Sequence, residues 1–166
     1  MGETQPLGHP LLNRRQSTGD RERGGRRAVH DGQEARRSPP MPYQIFLVED
    51  HPVMREAYAS VIEAEPDFDL CGSVESAEEA IDVLGRDCPC DLVVTDLRLP
   101  GLSGIDLVGH LRAARPGLPV VVVSGHEEAM HARRALDAGA VQFVPKRTLA
   151  TSFVTTIRSV VASGAA

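Results

Sequence analysis

Short hydrophobic runs along the chain alternate with segments that have helical spacing. The first run, 44–48 (QIFLV), precedes a segment in which Val53, Ala57 and Val61 recur every four residues and predict the buried face of a helix. This unit of a strand followed by a helix occurs five times. The predicted strands are 44–48, 68–74, 91–95, 118–123 and 141–144, and the predicted helices are 52–65, 103–115, 126–137 and two more that begin at residues 76 and 148.

Capping residues support the helix predictions. Ser76 is placed to cap the second helix, with Glu79 at the capping-box position, and Gly139 is placed to end the fourth. The residues that we expect to be buried are Ala77, Ala80, Ile81 and Leu84 in the second helix, and Leu149, Phe153, Ile157 and Val161 in the fifth.

The predicted strands are continuous runs of Val, Ile and Leu, of which 120–123 (VVVV) is the clearest. Continuous runs are typical of parallel strands that helices cover on both faces, whereas strands with one wet face alternate. We therefore predict a single doubly wound α/β domain over residues 41–166. Because ligands of such folds bind beyond the carboxyl ends of the strands, the residues after each strand are the candidates for function.

Residues 1–40 differ from the rest of the chain. They hold seven hydrophobic residues without a period and eight arginines against five acidic residues, a charge of +3. Residues 41–166 hold ten basic against eighteen acidic residues, a charge of −8, which gives the chain its total of −5. Because the first segment buries too little apolar surface to offset the entropy of ordering, we predict a disordered, solvated tail. Met41 stands directly before the first strand and is an alternative start of the protein.

The composition excludes several classes of protein. No apolar run approaches the ~20 residues of a membrane-spanning helix, and residues 1–13 lack the apolar segment of a signal peptide. We therefore expect a soluble, cytoplasmic protein without membrane contact. The three cysteines are too few for a disulfide framework and a weak signal for zinc, and we interpret the pair Cys88 and Cys90 as incidental to its loop.

Polar residues follow four of the predicted strands. Glu49 and Asp50 follow the first, Asp96 the third, Ser124 the fourth and Lys146 the fifth. Three carboxylates at one edge of a sheet repel one another and raise their pKa values unless a cation lies between them. A hard divalent ion that keeps open positions for water and a phosphoryl oxygen meets that need, which favours Mg²⁺.

Lys146 is unusual in this chain because the other seventeen basic residues are arginines. Lysine carries a compact charge on a flexible stem, whereas arginine imposes a planar fork. The exception indicates a position where the shape of the cation matters, such as a phosphate site.

Together these residues resemble the receiver domain of two-component response regulators, over residues 43–163. The motifs that carry the resemblance are Glu49-Asp50, Asp96 in DLRLPGLSG, Ser124-Gly125, and FVPK ending in Lys146. Each motif alone is weak, but all of them in order at receiver-like spacings form a strong joint signal. The resemblance implies a flavodoxin-like sheet of five parallel strands in the order 2-1-3-4-5.

The resemblance also implies roles for the residues around a phosphoryl group. Asp96 would be the phosphoacceptor that attacks phosphohistidine on a sensor kinase. Lys146 would pair with the phosphoryl group, and Ser124 would hydrogen-bond one of its oxygens. Phe143 would be the switch aromatic that responds together with Ser124.

The implied cofactor is Mg²⁺. Its ligands would be Asp96, Asp50 and the backbone carbonyl of Arg98, with Glu49 binding through a water molecule. The domain would phosphorylate and dephosphorylate itself without being an enzyme in the ordinary sense.

The stretches EDHPVMR and FVPKR are more similar to receivers of the NarL/LuxR type than to those of other subfamilies. Members of this subfamily usually carry a C-terminal helix-turn-helix domain, whereas this chain stops at Ala166, after the fifth predicted helix. We therefore expect a sensor histidine kinase or phosphotransfer protein and a downstream protein effector as partners, and no direct DNA binding. A phosphorylation-dependent homodimer stays open.

Three alternatives compete with this interpretation. A pseudo-receiver would bind partners without phosphorylation, although every acidic and basic position is filled here. A truncated LuxR-type transcription regulator would have lost its output domain. A haloacid-dehalogenase-type enzyme also uses an aspartate nucleophile with Mg²⁺, but it needs a second acid two positions on, where this chain has Arg98.

Overall fold

The computed structural model describes residues 41–85, 88–125 and 129–164. All of these residues belong to one compact unit, Arg37–Ala166. The predicted tail, 1–40, and the predicted first turn of the fourth helix, 126–128, lie outside the described residues.

Five strands alternate with five helices along the described residues. The strands are β1 (Tyr43–Val48), β2 (Phe68–Val74), β3 (Leu92–Asp96), β4 (Val120–Ser124) and β5 (Gln142–Pro145). The helices are α1 (Pro52–Glu63), α2 (Ala77–Leu84), α3 (Gly104–Ala114), α4 (Ala129–Ala138) and α5 (Ala150–Gly164). None of these helices is long and apolar enough to cross a membrane.

All strands pair in parallel, in the order β2-β1-β3-β4-β5. The chain moves outward from β1 to β2 and then returns past β1 to β3. The strand order therefore reverses between β1 and β3. This reversal is where doubly wound sheets bind their ligands. The predicted flavodoxin-like topology is confirmed.

Each face of the sheet carries its own hydrophobic core. Every residue of β3 and β4 is buried, because the helices cover both faces of these strands. On one face the sheet packs against α1 and α5 through Tyr58, Ile62, Phe153 and Ile157. On the other face it packs against α2, α3 and α4 through Ala80, Leu84, Leu107 and Ala135.

The buried face of α1 differs from the predicted one. Val53 is 70% exposed and Ala57 is exposed, whereas Tyr58 and Ile62 are buried. Val61, the third predicted residue, is half-buried and packs against the same core, together with Met54. Val53 and Met54 are both apolar, so a repeat of four residues can begin at either one and predicts two different buried faces for the helix. The helix turns the larger side chains inward, and the Tyr58 ring lies 5.0 Å from that of Phe153.

A second correction concerns the start of α5. Leu149 is 73% exposed, although it shares the helical spacing of buried Phe153 and Ile157. Its carbonyl accepts hydrogen bonds from the backbone N–H groups of Ser152 and Phe153. Leu149 therefore lies at the cap of the helix, before the turns that pack on the sheet.

The pairing of β2 with β1 contains a β-bulge. Ile45 pairs with Leu70 and Phe46 pairs with Gly72, so Cys71 is an extra residue in β2. The ring of Phe46 lies over Gly72, where a Cβ atom would come within 2.5 Å of a ring carbon. A bulge of this kind turns two successive residues toward the same face of the sheet.

Candidate functional site

Four strands end beside polar residues at the carboxyl edge of the sheet. Glu49 and Asp50 follow β1, and Asp96 is the last residue of β3. Ser124 ends β4, and Lys146 follows β5. Carboxylate oxygens of Glu49, Asp50 and Asp96 lie within 4.8 Å of one another. The parallel topology therefore brings together residues that are up to 97 positions apart in the sequence.

Lys146 joins two of these carboxylates. Its Nζ atom is 2.6 Å from Oε2 of Glu49 and 2.8 Å from Oδ2 of Asp96. The side chains of Lys146, Asp96 and Glu49 are 17%, 10% and 0% exposed. Burial by itself lowers the pKa of Lys146, but the hydrogen bonds to Asp96 and Glu49 outweigh that effect and hold the pKa above its ordinary value. The ammonium group therefore stays charged and offsets part of the negative charge of the acidic cluster.

Glu49 is a charged group in a buried position. Burial raises the pKa of the Glu49 carboxyl, the hydrogen bond from Lys146 opposes that shift without cancelling it, and the charge of Asp96 raises the pKa further. The backbone N–H of His51 also donates to Oε1 of Glu49, at 3.3 Å. Without Lys146 this carboxylate would face the cost of an unpaired buried charge.

Arg55 fixes the backbone at the end of β1. Its Nη1 donates to the carbonyl oxygen of Glu49 at 2.8 Å, and its Nη2 pairs with Glu75 at 2.7 Å. The N–H of Glu49 donates to the carbonyl of Val74. Arg55 thus ties the acidic turn to α1 and to the loop after β2. This role of Arg55 cannot be predicted from the sequence, because helical spacing does not show which loop an arginine side chain reaches.

The loop after Asp96 has a fixed path. Gly104 begins α3 so close to β3 that an added Cβ atom would collide with the carbonyl oxygen of Asp96. Its N–H donates to the carbonyl of Leu97, whose own N–H donates to Val123. Ser103 caps α3 in a capping box with Asp106. Glycine at 104 therefore allows the helix to approach the strand that carries Asp96, a requirement that the sequence alone did not reveal.

The helix α2 holds the same loop from the other side. Oε1 of Glu78 accepts a hydrogen bond from the backbone N–H of Leu102 at 3.0 Å. Gly101 precedes that contact with a φ of +74°, which glycine adopts without strain. Arg98 lies in this loop, two residues after Asp96, with its side chain exposed. The loop geometry thus depends on α2, α3 and β3 together.

The two predicted switch residues lie on β4 and β5. Ser124 is buried, and its carbonyl accepts a 2.7 Å hydrogen bond from the backbone N–H of Lys146. Phe143 is half-buried, pairs with Val122 across the strands and packs against the core beneath α2, α3 and α4. Ser124 therefore lies with Glu49, Asp50, Asp96 and Lys146 at the carboxyl edge of the sheet, which we call the acidic edge. Phe143 lies three residues before Lys146 and is further from this edge.

The cluster fits a hard divalent cation. Three carboxylates supply oxygen ligands, Asp50 is exposed, and the group lies at the edge where the strand order reverses. Few carboxylate ligands and solvent-exposed positions suit Mg²⁺, which keeps several water ligands. Glu49, Asp50 and Asp96 can therefore hold such an ion.

A family model described as the response regulator receiver domain matches residues 45–158. The chain belongs to the response regulator receiver family. The match extends from β1 into α5 and includes every residue of the acidic edge. This membership agrees with the resemblance inferred from the strand-end motifs.

A solved structure places the receiver near the LuxR type. The two-component response regulator of the LuxR family from Aurantimonas sp. SI85-9A1 is 32% identical, with a TM-score of 0.70 over 74% of this chain and 86% of that chain. The predicted NarL/LuxR character of the receiver is confirmed.

Curated relatives are longer than this chain. Response regulator protein VraR of Staphylococcus saprophyticus is 28% identical over 71% of this chain and 56% of its own length. A protein-glutamate methylesterase/protein-glutamine glutaminase of Rhodospirillum centenum is 33% identical over 63% of this chain and 27% of its own length. The receiver thus spans about half of one relative and about a quarter of the other.

Proposed function

We propose that this receiver accepts a phosphoryl group on Asp96 from a phosphohistidine of a sensor kinase or phosphotransfer protein. The observation that supports the proposal most strongly is the position of Lys146, whose ammonium group lies 2.8 Å from the Asp96 carboxylate. This ammonium group places a positive charge directly beside the acceptor carboxylate. A dianionic phosphoryl group on Asp96 would need such a charge next to it. We further propose that the protein acts in the cytoplasm and that residues 41–166 form the receiver, with 1–40 outside it.

The transfer is a displacement at phosphorus. A carboxylate oxygen of Asp96 forms the new P–O bond, the P–N bond to the donor histidine breaks, and the imidazole leaves with the bonding electron pair and takes up a proton. Lys146 then pairs with a phosphoryl oxygen, and Ser124 donates a hydrogen bond to another. Hydrolysis of the acyl phosphate returns Asp96 to its starting state, so the domain acts as a timed switch and not as an ordinary enzyme.

Glu49, Asp50, Asp96 and the backbone carbonyl of Arg98 would hold Mg²⁺, with Glu49 binding through water. When bound, the ion offsets negative charge on the phosphoryl oxygens during transfer. The partial exposure of the cluster leaves positions for water and for a phosphoryl oxygen.

The output of the receiver is proposed to be a protein contact. Residues 41–166 carry a net charge of −8 from ten basic and eighteen acidic residues. A surface of that charge repels the phosphates of duplex DNA. The partner is therefore a downstream effector protein, and a homodimer that forms on phosphorylation is a second form of output. A LuxR-type regulator would bind DNA through a further domain.

The proposal is tested by intact-mass measurement after incubation with Mg²⁺ and acetyl phosphate. The wild-type chain should gain the mass of one phosphoryl group, and Asp96→Asn should gain none. Asp50→Asn should gain less because Mg²⁺ binds more weakly, and Lys146→Arg should gain less despite its retained charge.

The matched control is Asp137→Asn, which removes an exposed carboxylate on α4. It should be phosphorylated like the wild type. An unmodified wild-type chain would support the pseudo-receiver instead, and an unchanged mass increment in Asp96→Asn would show that another residue is the acceptor.

A further inference from the structure

The three carboxylates of the acidic edge are not held equally. Glu49 accepts hydrogen bonds from the ammonium group of Lys146 at 2.6 Å and from the backbone N–H of His51 at 3.3 Å. Asp96 accepts one from the same ammonium group at 2.8 Å. Within the described part of the chain, no donor binds the carboxylate of Asp50, which is an exposed residue. The backbone around Asp50 therefore determines where this carboxylate lies.

The carbonyl group of Glu49 controls that backbone. The peptide unit between Glu49 and Asp50 is planar, so the carbonyl oxygen of Glu49 and the N and Cα atoms of Asp50 lie in one plane. Nη1 of Arg55 donates to this oxygen at 2.8 Å. The N–H of Glu49 donates to the carbonyl of Val74. Arg55 therefore fixes the orientation of the peptide unit that leads from β1 to Asp50.

The arginine is itself fixed in place. Its Nη2 pairs with Oε1 of Glu75 at 2.7 Å, and its side chain is 22% exposed. Its backbone N–H donates to the carbonyl of His51 at 2.9 Å. A guanidinium group carries its donors in a rigid planar fork, so it can bind two oxygens in defined directions at the same time. Arg55 thus connects the peptide unit before Asp50 to the loop after β2.

The turn from β1 into α1 is weakly capped. His51 is the N-cap of α1, and its side chain makes no capping hydrogen bond. Pro52 follows it and has no backbone N–H to donate. Because three carboxylates at one edge repel one another, Asp50 would move outward into water if its backbone were free. The hydrogen bond from Arg55 opposes that movement.

The charge of Arg55 has the opposite effect on a cation. A positive guanidinium group near the acidic edge repels a divalent ion. The paired carboxylate of Glu75 is 63% exposed, and solvent weakens the effect of both charges on the site. A role through charge therefore predicts that removal of Arg55 strengthens Mg²⁺ binding, whereas a role through position predicts that it weakens binding. The sign of the change separates the two roles.

We propose that Arg55 is a positioning residue of the cation site, which holds the carboxylate of Asp50 beside those of Glu49 and Asp96 before the ion binds. The oxygens of these three carboxylates lie within 4.8 Å of one another. The inference rests on the Mg²⁺ ligands proposed above, and Arg55 acts through Asp50 without being a ligand itself. Residues that orient metal ligands from outside commonly change the affinity by about tenfold or more when they are replaced.

Mg²⁺ binding to the full chain, without a phosphodonor, tests this role. Magnesium chloride is added to ¹⁵N-labelled protein at constant ionic strength, and the amide chemical shifts of Asp50 and Leu97 give the dissociation constant. Arg55→Met should raise this constant about tenfold because the bond to the Glu49 carbonyl is lost. Arg55→Lys should raise it by a smaller factor, about threefold, because a single ammonium group does not reproduce the planar fork.

Two control variants leave that bond intact. Glu75→Gln removes an exposed charge but keeps an oxygen that can accept from Nη2 of Arg55, and it should change the dissociation constant by less than about twofold. Arg133→Met removes an exposed arginine of α4, which is paired with Asp137, and should leave the constant unchanged. Circular dichroism and thermal unfolding confirm that each variant is folded. If Arg55→Met does not fold, Arg55→Lys decides the question.

Unchanged or tighter binding in Arg55→Met would overturn the proposal, and so would an equal loss of affinity in Glu75→Gln or in Arg133→Met. A lower thermal midpoint with an unchanged dissociation constant would show that Arg55 supports only the fold. A wild-type chain that binds no Mg²⁺ would remove the cation site and the role of Arg55 together. Because Asp96 is not phosphorylated in this experiment, its role as the phosphoacceptor is tested separately by the mass increment.

Discussion

Lys146 and Glu49 form an ion pair of 2.6 Å in which the carboxylate is completely buried. The pair joins the ends of β1 and β5 across the site, and Lys146 reaches Asp96 at the same time. A charge taken out of water in this way is tolerated only while its partner remains. The lysine is thus a structural residue as well as a candidate phosphate ligand.

Removing the ammonium group should therefore destabilise the domain. Lys146→Met leaves Glu49 buried without its cation, and we expect the free energy of unfolding in urea to fall by about 3 kcal/mol. Adding Glu49→Gln to this variant should recover part of that loss. The control is Arg133→Gln in the exposed pair with Asp137, 3.7 Å long, which should change stability by less than about 0.5 kcal/mol. Equal effects of Lys146→Met and Arg133→Gln would contradict the structural role.

Two glycines of α3 should respond in opposite directions to the same substitution. Gly104→Ala places a Cβ atom against the carbonyl of Asp96, and we expect a loss of about 2 kcal/mol. Gly109→Ala meets nothing within 4 Å and should stabilise the helix by up to about 1 kcal/mol. Thermal unfolding of both variants measures the difference. The idea fails if Gly104→Ala is as stable as Gly109→Ala.

Tyr58 should resist ionisation in alkaline solution. Burial, and after it the charges of Glu49 and Asp96, raise the pKa of Tyr58 from 10.0 to about 12. The unfolded chain therefore releases this proton first. The associated stability is present below about pH 10 and is lost as the pH rises toward 12.

The absorbance of ionised tyrosine measures this pKa directly. The chain has two tyrosines, so a Tyr43→Phe background leaves Tyr58 as the only signal. In that background Glu49→Gln should lower the pKa of Tyr58, because one of the charges that raise it is gone. A midpoint near the ordinary value of 10.0 in the folded protein would refute the prediction.

Phosphorylation is proposed to act through Ser124 and Phe143. New oxygens on Asp96 should draw the Ser124 hydroxyl toward them, and the half-buried ring of Phe143 should turn further inward. Amide chemical shifts recorded with and without beryllofluoride should then change along α4, β5 and α5. Changes confined to the acidic edge, with α4, β5 and α5 silent, would rule out the switch.

The sequence predicted the fold well because its strands are continuous apolar runs. The four valines at 120–123 are all buried. In a parallel sheet the carboxyl ends of all strands lie at the same edge, so the residues after each strand could be predicted to lie close together. The register within a helix was harder to predict. Val53 and Met54 are both apolar, and only the larger partners Tyr58 and Ile62 decide which one turns inward.

Contacts that depend on three-dimensional distance could not be predicted in the same way. Arg55 reaches the carbonyl of Glu49, and Gly104 lies against that of Asp96, yet neither leaves a periodic signal in the chain. The β-bulge at Cys71 adds one residue to β2. A pattern of period two cannot locate such an insertion.

That bulge also determines the pairing register of β1 and β2 for all residues after it. Seven residues of β2 lie beside six residues of β1. Because Cys71 has no partner, Val74 and not Ser73 lies opposite Val48. The carbonyl of Val74 can then receive the N–H of Glu49. Without the extra residue the register would shift by one position, and the carbonyl group of Val74 would no longer face the N–H of Glu49. One unpaired position in an edge strand thus keeps the first acidic residue in step with the rest of the site.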